Sequence, residues 1–154
     1  MEFKRGIGKN PRTQVDTVSR QMLVKPAIPY LMVGQAVCYD DTLPVGAQPG
    51  VINYTASGKF AGFVCYQADN VMEDETKPDE LKLVTPGSVH VIQNGPINLK
   101  TTTAVKLGDL LEIDVTGLTV KVLSGALVAG KPNITAEAAG AAGTIIPCNL
   151  RGLI

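Results

Sequence analysis

The chain has no tryptophan, one histidine and 5% aromatic residues. Any core must therefore come from Val, Ile, Leu and Ala. Charge is scarce too. Fourteen basic residues balance fourteen acidic ones, and charged residues make up 18% of the chain. A net charge of zero excludes a global field that would steer the protein to nucleic acid or to a membrane surface. No apolar run is long enough to span a bilayer. The first seven residues are charged and no apolar stretch follows them, so no signal peptide is expected. The three cysteines, Cys38, Cys65 and Cys148, are odd in number and far apart. Each lies in an apolar run ("AVCYD", "FVCYQ", "IIPCNL"). Buried thiols in a reducing compartment fit this better than a metal site, which wants closely paired ligands.

What the sequence does have is short β-branched runs with frequent punctuation, from 16 glycines and 10 prolines in 154 residues. That pattern predicts one all-β domain, an antiparallel β-sandwich or β-barrel. The clearest segment is "GDLLEIDVTGLTVKVLSG", residues 108–125. With Thr116-Gly117 as a two-residue turn, Val115 faces Leu118, Ile113 faces Val120 and Leu111 faces Val122. All three pairs share one face because side chains alternate with period two. On the other face Glu112 meets Lys121 and Asp114 meets Thr119.

"QAVCYD" and "GVINYTA" read as strands joined by the loop "DDTLPVGAQPG". "GKFAGFVCYQ" is apolar on both faces, which suits a central strand buried on both sides. Asn94-Gly95 signals a hairpin turn, with Ile92 beside Ile97, His90 beside Leu99, and Pro96 at an edge or a strand start. "ADNVMEDETKPDE" reads as an exposed acidic loop. "TAEAA" could make one helical turn capped by Thr135, and "TIIPCNL" a last strand. Residues 1–20 differ from the rest. They are basic, interrupted by Gly6, Gly8 and Pro11, and poor in apolar residues. They read as an extended arm leading into a β-rich domain over residues 21–154. Phe3, Lys4, Arg5, Ile7, Lys9 and Arg12 are its candidate partner-contact residues, with Phe3 and Ile7 as apolar anchors.

Chemistry is hard to find. His90 has Ser88 two residues before it on the same strand face, but that is only strand alternation, with no third group and no nucleophile elbow. It reads as a residue on a half-buried sheet face. Asp109, Glu112 and Asp114 cluster without a calcium-loop pattern. Asp40 and Asp41 are adjacent, so on a strand they face opposite ways. "GIGKNP" lacks the preceding strand and following helix that phosphate binding needs. The arm has no aromatic interleaving for stacking bases. No catalytic residue, metal or cofactor is expected.

In their order, "MVGQAVCYD", "FAGFVCYQ", "VTPGSVHVI", "LGDLLEID" and "GTIIPCNLRGL" resemble the bacteriophage head decoration, or capsid cement, proteins over residues 29–154. The resemblance implies a virion structural protein without catalysis, made in the host cytoplasm. It would sit on the outer surface of the phage head, bind the major capsid protein and stabilise contacts between capsid subunits. It also implies a homo-oligomer, with a trimer favoured over a dimer, and no nucleic-acid or membrane partner. The rivals are another virion part, such as a head-fibre base or connector, and a β-barrel enzyme with a site shared between subunits.

Overall fold

A computed structural model describes residues 7–8, 18–65, 71–73, 81–84 and 87–154. The short apolar runs form strands β1 (Val18–Val24), β2 (Tyr30–Met32), β3 (Ala36–Tyr39), β4 (Gly50–Asn53), β5 (Phe60–Val64), β6 (Val71–Glu73), β7 (Leu81–Val84), β8 (Ser88–Lys100), β9 (Leu110–Ile113), β10 (Val120–Val122), β11 (Pro132–Ala136) and β12 (Ile145–Leu153). The described residues contain no helix. "TAEAA" is not a helical turn: Thr135 and Ala136 belong to β11, where pairing with β12 and β9 overrides local helix preference.

Nine strands make one sheet in the order β1-β4-β3-β5-β8-β12-β11-β9-β10, and β1 also pairs with β8. That second pairing closes β1, β4, β3, β5 and β8 into a barrel. The β1–β4 pair is parallel, whereas the sheet's other strand pairs are antiparallel. The remaining strands curl away from β8. The chain just beyond β8 then returns to cover β10: Thr101 bridges Val120, and the Thr102 N–H donates to the Val120 carbonyl at 2.9 Å. The Val122 N–H donates to the Thr103 hydroxyl at 3.0 Å. The β10 edge is thus covered rather than left to template pairing with another chain. A small sheet, β2-β7-β6, adds Leu31 and Leu83 to the barrel core.

Two cores result. One fills the closed barrel with Met22, Val24, Leu31, Val33, Val37, Val51, Val64, Val89 and Val91. The other gathers Phe60, Phe63, Ile97, Leu99, Leu111, Val120, Ile134, Ile146, Cys148 and Leu150. β5 divides them and is buried at every position. This is the both-face burial expected from "GKFAGFVCYQ". Phe60 and Phe63 share a core although strict alternation would oppose them. A bulge against β3 passes over Ala61, where Val37 pairs with Gly62 and Cys38 with Phe60. Their rings then meet edge to face at 5.3 Å and 67°.

Two turn expectations are corrected. Asn94-Gly95 is not a hairpin turn. β8 runs straight through it for 13 residues, with Gly95 at φ 115°. The irregularity lets β8 change faces as it leaves the barrel: Val89 and Val91 point into the first core, Ile97 and Leu99 into the second. His90 and Leu99 are therefore not cross-strand partners. Pro96 sits in mid-strand, opposite Asn149 of β12. It is tolerated because alternation turns its nitrogen to the side where the Asn98 carbonyl accepts the Gly8 N–H at 2.8 Å, away from β12.

The 111–122 hairpin has the expected register, with Ile113 opposite Val120, Glu112 opposite Lys121 and Leu111 opposite Val122. Lys121 Nζ lies 3.6 Å from Glu112 Oε1. The loop, however, spans four residues rather than two. Gly117 N–H donates to the Asp114 carbonyl at 2.8 Å and Asp114 N–H to the Thr119 carbonyl at 2.9 Å. Val115 and Leu118 are exposed, not part of the apolar face. A two-residue turn of this kind wants positive φ at both positions, and only Gly117, at φ 74°, supplies it easily.

Candidate functional site

Several residues with chemical potential are engaged in structural hydrogen bonds. The Gln21 side chain donates to Ser88 Oγ at 2.8 Å, so that hydroxyl is engaged across β1–β8. His90 is exposed on the barrel's outer face rather than half-buried. Asp109 Oδ2 accepts the Lys106 N–H at 2.8 Å. Glu112 also accepts from Ser124 Oγ at 3.3 Å. The Asp114 carboxylate accepts the Val115 N–H at 2.9 Å and lies 3.4 Å from each of the Thr116 and Thr119 hydroxyls. Among the described residues, no group of three His, Cys, Asp or Glu could hold a metal ion.

The three thiols are free. Cys38 and Cys148 are buried and Cys65 is half-buried. Burial pushes Cys65 up to about 11 and Cys148 up to about 12, against smaller opposing backbone hydrogen bonds. Both are neutral thiols at physiological pH, not activated nucleophiles.

Of the arm candidates, Ile7 is placed. It is buried in the barrel core, and the adjoining Gly8 N–H reaches β8 at Asn98. The fit is close: a Cβ on Gly34 would lie 2.7 Å from Ile7 Cγ1. Phe3, Lys4, Arg5, Lys9 and Arg12 lie outside the described residues. Residues 18–20, counted above with the arm, belong to β1. Of the acidic stretch, residues 71–73 form β6, and 68–70 and 74–80 lie outside the described residues.

Two exposed features were not singled out from the sequence. One is an apolar groove of about 130 Å³, with Tyr54, Leu111, Leu127, Val128 and Ile154 among its lining. Lys131 crosses its rim, donating to the Ala56 carbonyl with its ammonium 5.8 Å from the Tyr54 ring centre. The other is the connection over residues 40–49, between β3 and β4. At its base Asp40 has a side chain 2% exposed, 3.4 Å from Lys25 Nζ. Its Oδ1 accepts the Thr42 hydroxyl at 2.6 Å and the Thr42 N–H at 3.1 Å. The Thr42 hydroxyl first, then its N–H and Lys25, hold the carboxyl below its usual range, against a burial effect that raises it.

An acid dependence follows. A carboxyl depressed in the folded state adds stability above its unfolded value of about 3.9 and loses it as pH falls through the lower folded value. Asp40→Asn should melt below wild type by a constant margin above about pH 5, and the margin should shrink below about pH 4. Thermal melts across roughly pH 2.5–7, which brackets the unfolded value of about 3.9, check this. A margin that grows on acidification would contradict it.

Among the described residues, the surface offers shape and apolar contact. A family model described as "Structural cement protein (E217 gp24/Pam3 gp6)" matches residues 6–151. The chain belongs to this phage cement family. It is a structural protein of a bacteriophage, with a role in the capsid. The curated proteins yield no significant match. On this cement protein, exposed large apolar side chains such as Val45, Leu107 and Val115 stand beside exposed charges such as Asp41 and Lys106.

Proposed function

We propose that the protein binds the outside of the assembled phage head and stabilises contacts between subunits of the major capsid protein, acting as a homo-oligomer of three copies rather than two. The family match over residues 6–151 carries this reading. The physics is mass action: a ligand that binds the assembled lattice and not free subunits stabilises the lattice. A symmetric oligomer engages several subunits at once, so weak contacts add by avidity. Heads lacking the protein should lose genome or shell integrity at lower temperature than decorated heads, and added protein should restore them. Low-resolution imaging should place it on the outer surface. Binding to free capsid protein as tight as to heads would contradict the reading.

The basic arm residues Lys4, Arg5, Lys9 and Arg12 contribute to this contact through charge, in our reading, with Phe3 as an apolar anchor. Exposed ion pairs contribute roughly 0–1 kcal/mol each. Replacing the four cations with Ala should lower occupancy in low salt and change it little in high salt, where screening has already removed the effect. Equal occupancy in low salt would show that the arm carries none of the binding.

A further inference from the structure

We propose that the β3–β4 loop, residues 40–49, is a preformed plug whose Val45 tip inserts into an uncharged apolar cleft on the assembled capsid lattice. The inference rests on the cement reading and names the contact within it. Four observations carry it. First, antiparallel neighbours such as β3 and β4 need only about two to five residues to connect; this connection runs from Asp40 to Pro49 between strands ending at Tyr39 and starting at Gly50. Second, the excursion is clamped at its base. The buried Asp40 carboxylate takes Thr42 and Lys25, and the Asp40 N–H donates to the Gly50 carbonyl at 2.9 Å. Leu43 closes over Gly50, leaving its Cδ1 only 2.7 Å from where a Cβ would stand. Third, the tip is itself a turn: the Ala47 N–H donates to the Pro44 carbonyl at 3.1 Å, with Gly46 at φ 85°, the type II pattern. Fourth, that turn presents Val45 at 106% exposure, the highest of the exposed large apolar side chains among the described residues, within "TLPVGAQPG", which has no charge.

A mere connector has no need of a buried carboxylate at its base or a bare valine at its tip. A binding plug uses both: the clamp and turn reduce the entropy lost on docking, and the valine gains by burial. Beyond the clamped Asp40 and Asp41, which is exposed near the base, the loop carries no charge, and that names the partner's chemistry at the tip. It must be a neutral, apolar concavity, because an ionic one would be left unpaired against this tip.

The test uses purified heads stripped of the protein and three variants of the full chain, Val45→Ser, Val45→Asp and Leu107→Ser. Leu107 is also exposed, at 72%, but lies on a different connection. Wild type should bind the heads, and failure there would remove the cement reading itself. Given that binding, Val45→Ser should weaken it about tenfold, in low and high salt alike, and Val45→Asp by more. Leu107→Ser should bind within about twofold of wild type, a free-energy change under roughly 0.5 kcal/mol. Val45→Ser binding as well as wild type would overturn the plug while leaving the cement reading intact. An equal loss with Leu107→Ser would also overturn it. So would dissociation of the oligomer by Val45→Asp in light scattering, because the tip would then contact another copy rather than the shell.

Discussion

Gly62→Ala should destabilise the protein by about 3–5 kcal/mol, a large share of the roughly 5–15 kcal/mol that holds a domain of this size. The added Cβ would stand 2.3 Å from Val91 Cγ1 and 2.4 Å from the Ile92 carbonyl oxygen. Relief would require β8 to move. β8 is held on one side by β1 and on the other by β5 and β12, so its backbone cannot yield alone. Gly62 also sits at φ 153°, where a side chain adds strain. Gly46→Ala separates the two effects. Gly46 also has positive φ, at 85°, but its absent Cβ would meet nothing within 4 Å. That variant should cost only about 1–2 kcal/mol. Urea midpoints of the two variants give the comparison. Equal losses would mean that β5 and β8 do not approach as closely as the bulge requires.

The same glycine shows where the sequence is legible and where it is not. The 111–122 register could be read because the apolar face and the cross-strand charge pair restrict the same few residues, even though the two-residue turn read with them proved to be a four-residue loop. β5 could be read as doubly buried because its run is apolar at successive positions. The bulge over Ala61, beside Gly62, could not, since alternation assumes an unbroken pleat. Asn94-Gly95 misled for a related reason. The dipeptide announces a residue with positive φ but does not say whether the chain reverses there or only changes face. Tertiary pairing decides, and 13 residues of β8 between two sets of neighbours outweigh the local turn signal. The loop proposed as the contact was least legible. "LPVGAQPG" looks like any polar-bounded loop until the Asp40 clamp and the bare Val45 are seen together, because exposure depends on residues far away in sequence.

Cavities in the two cores should weaken the protein as one unit. Met22 is fully buried in the barrel core and Leu150 fully buried in the second. Either residue changed to Ala removes a large side chain from a packed site and should cost about 2–5 kcal/mol. A chain of two independent barrels would show the loss in one half only. Here β5 and β8 carry side chains of both cores: Ala61, Val64, Val89 and Val91 face one, Phe60, Phe63, Ile97 and Leu99 the other. Neither core can open without exposing a strand that walls its neighbour. Met22→Ala and Leu150→Ala should each therefore lower a single transition, with far-UV circular dichroism and tyrosine fluorescence tracking together. Tyr39 packs against the barrel core and Tyr54 against the second, so tyrosine emission reports on both. If Leu150→Ala instead splits the melt in two, with one phase at the wild-type temperature, the shared strands do not couple the halves.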